Sequence, residues 1–151
     1  MKGVRVNFKK LREDGKMPTR GSDYAAGYDL YASLTCSDRT LTIPPHQTIK
    51  VGTGIAMEIP EMFFGGIFAR SGLSTKEYLR PANCVGIVDS DYRGEVIVAL
   101  HNDSDTDRVI TNGDRIAQFL LLPVILIDFY ETDKLSSTDR DDKGFGSSGK
   151  K

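Results

Sequence analysis

Short runs of apolar and β-branched residues, each cut off by glycine, proline, asparagine or aspartate, constrain this chain more than any other feature. Valine, isoleucine and threonine together number 31, and they cluster where a pleated strand would use them. The runs predict strands near 28–34 (YDLYASL), 47–51, 54–59 (GIAMEI), 65–69, 84–88, 95–101 (EVIVALH), 115–122 (RIAQFLLL) and 124–130 (VILIDFY). That spacing predicts an all-β sandwich or barrel. One helix is expected, over 74–79 (STKEYL), with Ser74 as N-cap and Arg80-Pro81 as its stop. EVIVALH and VILIDFY are apolar on both faces, so both faces need cover, which a second copy of the chain could supply.

At 151 residues the chain is long enough for one core, burying roughly 68–70% of its unfolded surface. From Thr132 onward, TDKLSSTDRDDKGFGSSGKK is charged and rich in serine and glycine, the composition of a flexible arm. The expected organisation is therefore a single β domain over 1–131 and an arm over 132–151. Twenty basic against twenty-one acidic residues leave no global field toward nucleic acid or membrane. Neither partner is expected, and any bound anion must meet local donors.

Cys36 and Cys84 form no CxxC pair and are expected as buried or half-buried thiols. No secretory h-region opens the chain, and no run approaches the ~18 apolar residues of a membrane span. A soluble, intracellular protein is expected.

Three motifs fail on inspection. GFGSSG at 144–149 satisfies G-x-G-x-x-G, but no helix or acidic residue follows it. Extended to GFGSSGKK it approaches a Walker A spacing, with Lys151 where a hydroxyl should hold Mg²⁺. DSDYRG at 89–94 mimics a calcium loop until position five, which is Arg93, and position twelve, which is Leu100. What these stretches retain is a polar hairpin loop between strands 84–88 and 95–101, and backbone N–H groups able to wrap phosphate oxygens. Phe145, alone in a glycine frame, suits a ligand better than a core. His46 and His101 show no metal-ligand spacing, and Arg115 is expected in an internal salt bridge or a subunit interface.

Five stretches taken in order, AAGYDLYAS (25–33), ARSGLSTK (69–76), NCVGIVDSDYRGEV (83–96), NGDRIAQFLLLPV (112–124) and DRDDKGFGSSG (139–149), resemble the five motifs of the homotrimeric deoxyuridine triphosphate nucleotidohydrolases, the dUTPases. The resemblance implies a distorted jelly-roll or β-barrel with one short helix, assembled as a trimer with shared active sites. It implies hydrolysis of dUTP to dUMP and pyrophosphate with Mg²⁺, which limits uracil in DNA and supplies dUMP.

The same resemblance implies a role for each matching residue. Asp89 corresponds to the general base that prepares the water attacking the α-phosphorus. Tyr92 corresponds to the ring packed flat on the deoxyribose, the segment from Asn83 to Gly86 to the one that reads uracil, and Val88 to a further substrate-binding residue. Arg70, Ser71, Gly72 and Gln118 correspond to phosphate ligands, and Asp29 to a carboxylate near the metal, acting through water. In the arm, Arg140, Ser147 and Ser148 correspond to γ-phosphate ligands, Gly146 to a further substrate-binding residue and Phe145 to the ring that covers the base. Asp141, Asp142 and Lys143 depart from the family pattern, which is glycine-rich there. Two other readings share the fold: a deaminase acting on dCTP, and a non-catalytic nucleotide-sensing or partner-binding member.

Overall fold

The computed structural model describes residues 3–144. Eleven strands and one helix follow in the order β1 (Asn7–Lys10), β2 (Thr19–Arg20), β3 (Tyr28–Tyr31), β4 (Thr40–Ile43), β5 (Thr48–Glu58), β6 (Phe63–Phe68), α1 (Ser71–Lys76), β7 (Leu79–Pro81), β8 (Gly86–Val88), β9 (Glu95–Asn102), β10 (Arg108–Thr111) and β11 (Arg115–Pro123). One sheet has the order β1-β5-β9-β7, the other β2-β3-β11-β6-β8, and β10 pairs with β4 as a separate ribbon. Every pairing is antiparallel. The all-β expectation, with one short helix, holds.

The two main sheets share a single core. Leu30, Ile67, Ile116, Ala117 and Phe119 from one meet Val51, Ile55, Met57, Val98 and Leu100 from the other. Leu30, Leu100 and Ile116 are fully buried, each contributing about 1.5–3 kcal/mol of transfer free energy. Alternation is clear in β9, where Val96, Val98 and Leu100 point inward and Ile97 stays exposed.

Several elements differ from expectation, each for a local reason. The runs 47–51 and 54–59 are one strand, β5, whose ladder to β9 breaks between Gly52 and Ala56. Gly54 sits at φ 69°, the left-handed region that glycine tolerates, and a side chain there would strike Ser33. The helix lies three residues earlier than predicted. Ser74 is not its N-cap: its hydroxyl donates back to the Arg70 carbonyl at 3.1 Å, and Arg70 is the cap residue, with no side-chain bond that caps the helix. Tyr78, at φ 57°, turns the chain out of the helix, and Leu79 enters β7 beside Asn102.

The run 124–130 is not a strand within the described chain. Val124 donates its N–H to the Met62 carbonyl at 2.8 Å, after which Ile125, Leu126, Ile127, Phe129 and Tyr130 stand exposed. Both cysteines are exposed rather than buried: Cys36 lies in the turn before β4, and Cys84 sits at φ 61° in the connection from β7 to β8.

The expected hairpin between 84–88 and 95–101 does not exist. β8 pairs with β6 in one sheet, whereas β9 pairs with β5 and β7 in the other. Residues 82–85 therefore carry the chain from one sheet to the other, and residues 89–94 carry it back. Strand-length runs separated by a polar turn read identically whether the chain folds back or crosses over.

Candidate active site

Between those two crossings lies a cleft of about 190 Å³, lined by Asn83, Gly86, Val88, Asp89 and Tyr92 together with Ile67, Ile87, Glu95, Val96 and Ile97. Five residues singled out in the sequence thus share one surface. Asn83 and Gly86 are held by a tight turn, in which the Val85 N–H donates to the Asn83 carbonyl at 2.6 Å. A side chain at Gly86 would lie 3.3 Å from the Asn83 amide nitrogen, so glycine keeps that amide uncrowded.

The second crossing is braced by its own backbone. Tyr92 N–H donates to the Asp89 carbonyl at 3.2 Å, and Arg93 Nη1 donates to the Ser90 carbonyl at 2.6 Å. The Tyr92 ring folds across Gly94, where a Cβ would come within 2.6 Å of its Cζ. Its hydroxyl donates to the Glu95 carbonyl at 3.0 Å. Asp89 is exposed at the cleft, a carboxylate within reach of water and of any ligand there.

A second group gathers at the end of the β3-β11-β6 sheet. Asp29 on β3 accepts from Arg70 Nε at 2.8 Å through one oxygen and from Arg115 Nη1 at 3.2 Å through the other. Arg70 Nη1 also donates to the Arg115 carbonyl at 3.2 Å. Arg115 is therefore in an internal salt bridge, as expected. Gln118 pairs across to Phe68 and Asp29, and its Nε2 donates to the Ala69 carbonyl at 2.8 Å. Ser71 and Gly72 open α1 beside Arg70, and a side chain at Gly72 would meet nothing within 4 Å. Two guanidinium groups bridged by one carboxylate make a cationic cluster suited to phosphate.

None of Asp29, Arg70, Ser71, Gly72 or Gln118 lines the cleft of Asp89. Arg140 is elsewhere again, in a turn where its Nε donates to the Lys143 carbonyl at 2.9 Å and Lys143 N–H returns to the Arg140 carbonyl at 3.0 Å. Phe145, Gly146, Ser147 and Ser148 lie outside the described residues. Among the described residues, no group of three or more His, Cys, Asp and Glu side chains gathers to hold a metal, and no helix is long and apolar enough to cross a membrane.

A model of the dUTPase family matches residues 13–149. This chain belongs to the dUTPase family. The deoxyuridine 5'-triphosphate nucleotidohydrolase of Desulfitobacterium hafniense (strain DSM 10664 / DCB-2) is 46% identical over 152 residues, covering 99% of this chain and 99% of its own. That of Candida albicans (strain SC5314 / ATCC MYA-2876) is 43% identical over 138 residues, covering 90% of this chain and 82% of its own. Among solved structures, the dUTPase of Staphylococcus bacteriophage 80alpha with dUPNHPP superposes with a TM-score of 0.86 at 26% identity, covering 97% of this chain and 99% of that one.

Within this dUTPase fold, Ile67 and Ile97, two of the apolar residues lining the cleft, fall outside the five motif stretches. No local signal marks them, because each is an ordinary strand residue until β6 and β9 converge on the cleft. Glu95 lies within the third motif, and Arg12, which binds it, stands just before the stretch that the family model matches.

Proposed function

We propose that this chain hydrolyses dUTP to dUMP and pyrophosphate, with Asp89 activating the water that attacks the α-phosphorus. The observation that carries the reading is the cleft itself, in which Asn83, Gly86, Val88, Asp89 and Tyr92 converge in a chain of the dUTPase family. Uracil offers an acceptor at O4 and a donor at N3, and cytosine reverses both. Main-chain groups from Asn83 to Val88, with the Asn83 amide, would leave cytosine with buried groups unpaired. Tyr92, packed on the sugar, leaves no room for a 2'-hydroxyl.

Asp89 acts as a general base through hydrogen-bond reach to one water, a contribution of roughly 10²–10⁴-fold. Arg70, Ser71, Gly72 and Gln118 take the phosphate oxygens. Asp29 holds Arg70 and Arg115 in place, and would meet a metal only through water. The donor set fits Mg²⁺ delivered with the triphosphate: isolated carboxylates beside arginines suit an ion held by phosphate oxygens and its own waters rather than a protein cage. When bound, Mg²⁺ neutralises phosphate charge.

The separation of the Asp89 cleft from the Arg70 cluster supports a site completed by a second copy of the chain, in a homotrimer. The exposed apolar run at 125–130 supports the same assembly, since such a stretch needs cover. The arm from 132 onward then closes the site, with Arg140, Ser147 and Ser148 on the γ-phosphate and Phe145 over the base.

The deciding experiment incubates the chain with Mg²⁺ and dUTP, dCTP or dTTP, following pyrophosphate and ammonia. Pyrophosphate from dUTP alone is expected. Ammonia from dCTP would replace this reading with the deaminase, and dUTP binding without product would replace it with a nucleotide sensor.

A further inference from the structure

Arg12 and Glu95 form a clamp behind the cleft to which the reaction assigns no task. The β5-β9 ladder runs from Thr48 opposite His101 to Gly52 opposite Ile97, then breaks, and resumes only at Ala56 opposite Glu95. In that gap Thr53 Oγ1 donates to the Val96 carbonyl at 2.7 Å, and the Glu95 carboxylate holds the β5 backbone at Gly54. It accepts from the Gly54 N–H at 2.8 Å, from Arg12 Nη1 at 3.0 Å, and from Arg12 Nη2.

Arg12 is itself fixed, its Nε donating to Ser33 Oγ at 2.9 Å and its Nη2 to the Ser33 carbonyl at 3.0 Å. Both side chains of the pair are largely shielded, at 28% and 21% exposure, so the fork is not an open surface pair. On the opposite side of the same residue, the Glu95 carbonyl receives the Tyr92 hydroxyl at 3.0 Å. Glu95 thus forms part of the wall between the cleft and a neighbouring depression that Arg12, Ser33 and Gly52 also line.

We propose that Arg12 and Glu95 are positioning residues for sugar selection: their clamp fixes the backbone at Glu95, and the Glu95 carbonyl in turn fixes the Tyr92 ring against the deoxyribose. The inference rests on the dUTP reading above. A ring held only by its packing on Gly94 can tilt, and a tilted ring admits a 2'-hydroxyl. The clamp therefore acts on the ratio of dUTP to UTP turnover more than on the chemistry at phosphorus.

The test measures kcat/KM for dUTP and UTP in wild type, Arg12→Met, Glu95→Gln and Tyr92→Phe, and in the double variant Arg12→Met with Tyr92→Phe. The single variants should each lower the dUTP:UTP preference roughly three- to tenfold, the worth of one hydrogen bond. Because Arg12 acts through the Tyr92 hydroxyl, adding Arg12→Met to Tyr92→Phe should lower it no further.

Should Arg12→Met fail to fold, Gly52→Ala serves in its place, since its Cβ would lie 2.7 Å from Arg12 Nη2 and disturb the clamp without deleting a charge. An unchanged preference in a folded variant, or losses that multiply in the double variant, would overturn the proposal while wild type still hydrolyses dUTP. A wild type that does not hydrolyse dUTP would instead remove the reading on which it rests.

Discussion

Asp89 and Glu95 are carboxylates on either side of one short turn, and their surroundings give them different tasks. Asp89 is exposed at the cleft, where it can reach a water. Replacing it with asparagine should leave dUTP binding intact and lower turnover by roughly 10²–10⁴-fold, read by calorimetry and single-turnover kinetics. Glu95 is held by the Arg12 guanidinium and the Gly54 N–H, which keep its carboxyl below the usual range against the opposing effect of burial. Its charged form is thus favoured by folding, so the stabilisation is full above the ordinary glutamate range and is lost as pH falls through the depressed folded value. Glu95→Gln should therefore lower stability at neutral pH by about 1–3 kcal/mol, and the gap to wild type should narrow in acid. Urea titrations across pH 3–7 would show it, and a gap that is constant with pH would contradict the assignment.

Among the elements, the register of β9 matters most to the site, because the turn carrying Asp89 and Tyr92 hangs from its first residue. Its far end is anchored by Asn102, fully buried, whose Nδ2 donates to the Ile43 carbonyl at 2.9 Å and the Thr106 carbonyl at 2.8 Å. Asn102→Ala strips partners from two carbonyls and should destabilise the fold by about 2–3 kcal/mol, measured by thermal or urea unfolding. Strands such as β6, β9 and β11 were legible because their apolar runs are long. Those of β1, β2, β4, β7 and β10 are only two to four residues, and all but β4 carry charge or proline, so they gave no periodic signal before their partners were in place. The cleft residues were legible through the motif that spans 83–96. That this motif crosses between sheets, rather than folding back as a hairpin, depends on pairings with β5 and β6 far away in sequence. The Arg12 contact to Glu95 was invisible for the same reason.

At the scale of the whole molecule, the Asp89 cleft and the cluster of Arg70, Asp29 and Arg115 lie on separate parts of one chain. If the proposed homotrimer with shared sites joins them, mixing inactive Asp89→Asn with inactive Arg70→Ala chains should restore activity after subunit exchange. Mixed chains that stay inactive despite exchange would argue for a site within one protomer. If the arm closes the site as proposed, removing residues 140–151 should reduce turnover far more than the unfolding midpoint. Turnover of dUTP in ¹⁸O-labelled water reads which phosphorus the water attacks. Attack on the α-phosphorus by an Asp89-activated water puts one ¹⁸O in the dUMP phosphate and none in pyrophosphate, and label in pyrophosphate would rule that attack out.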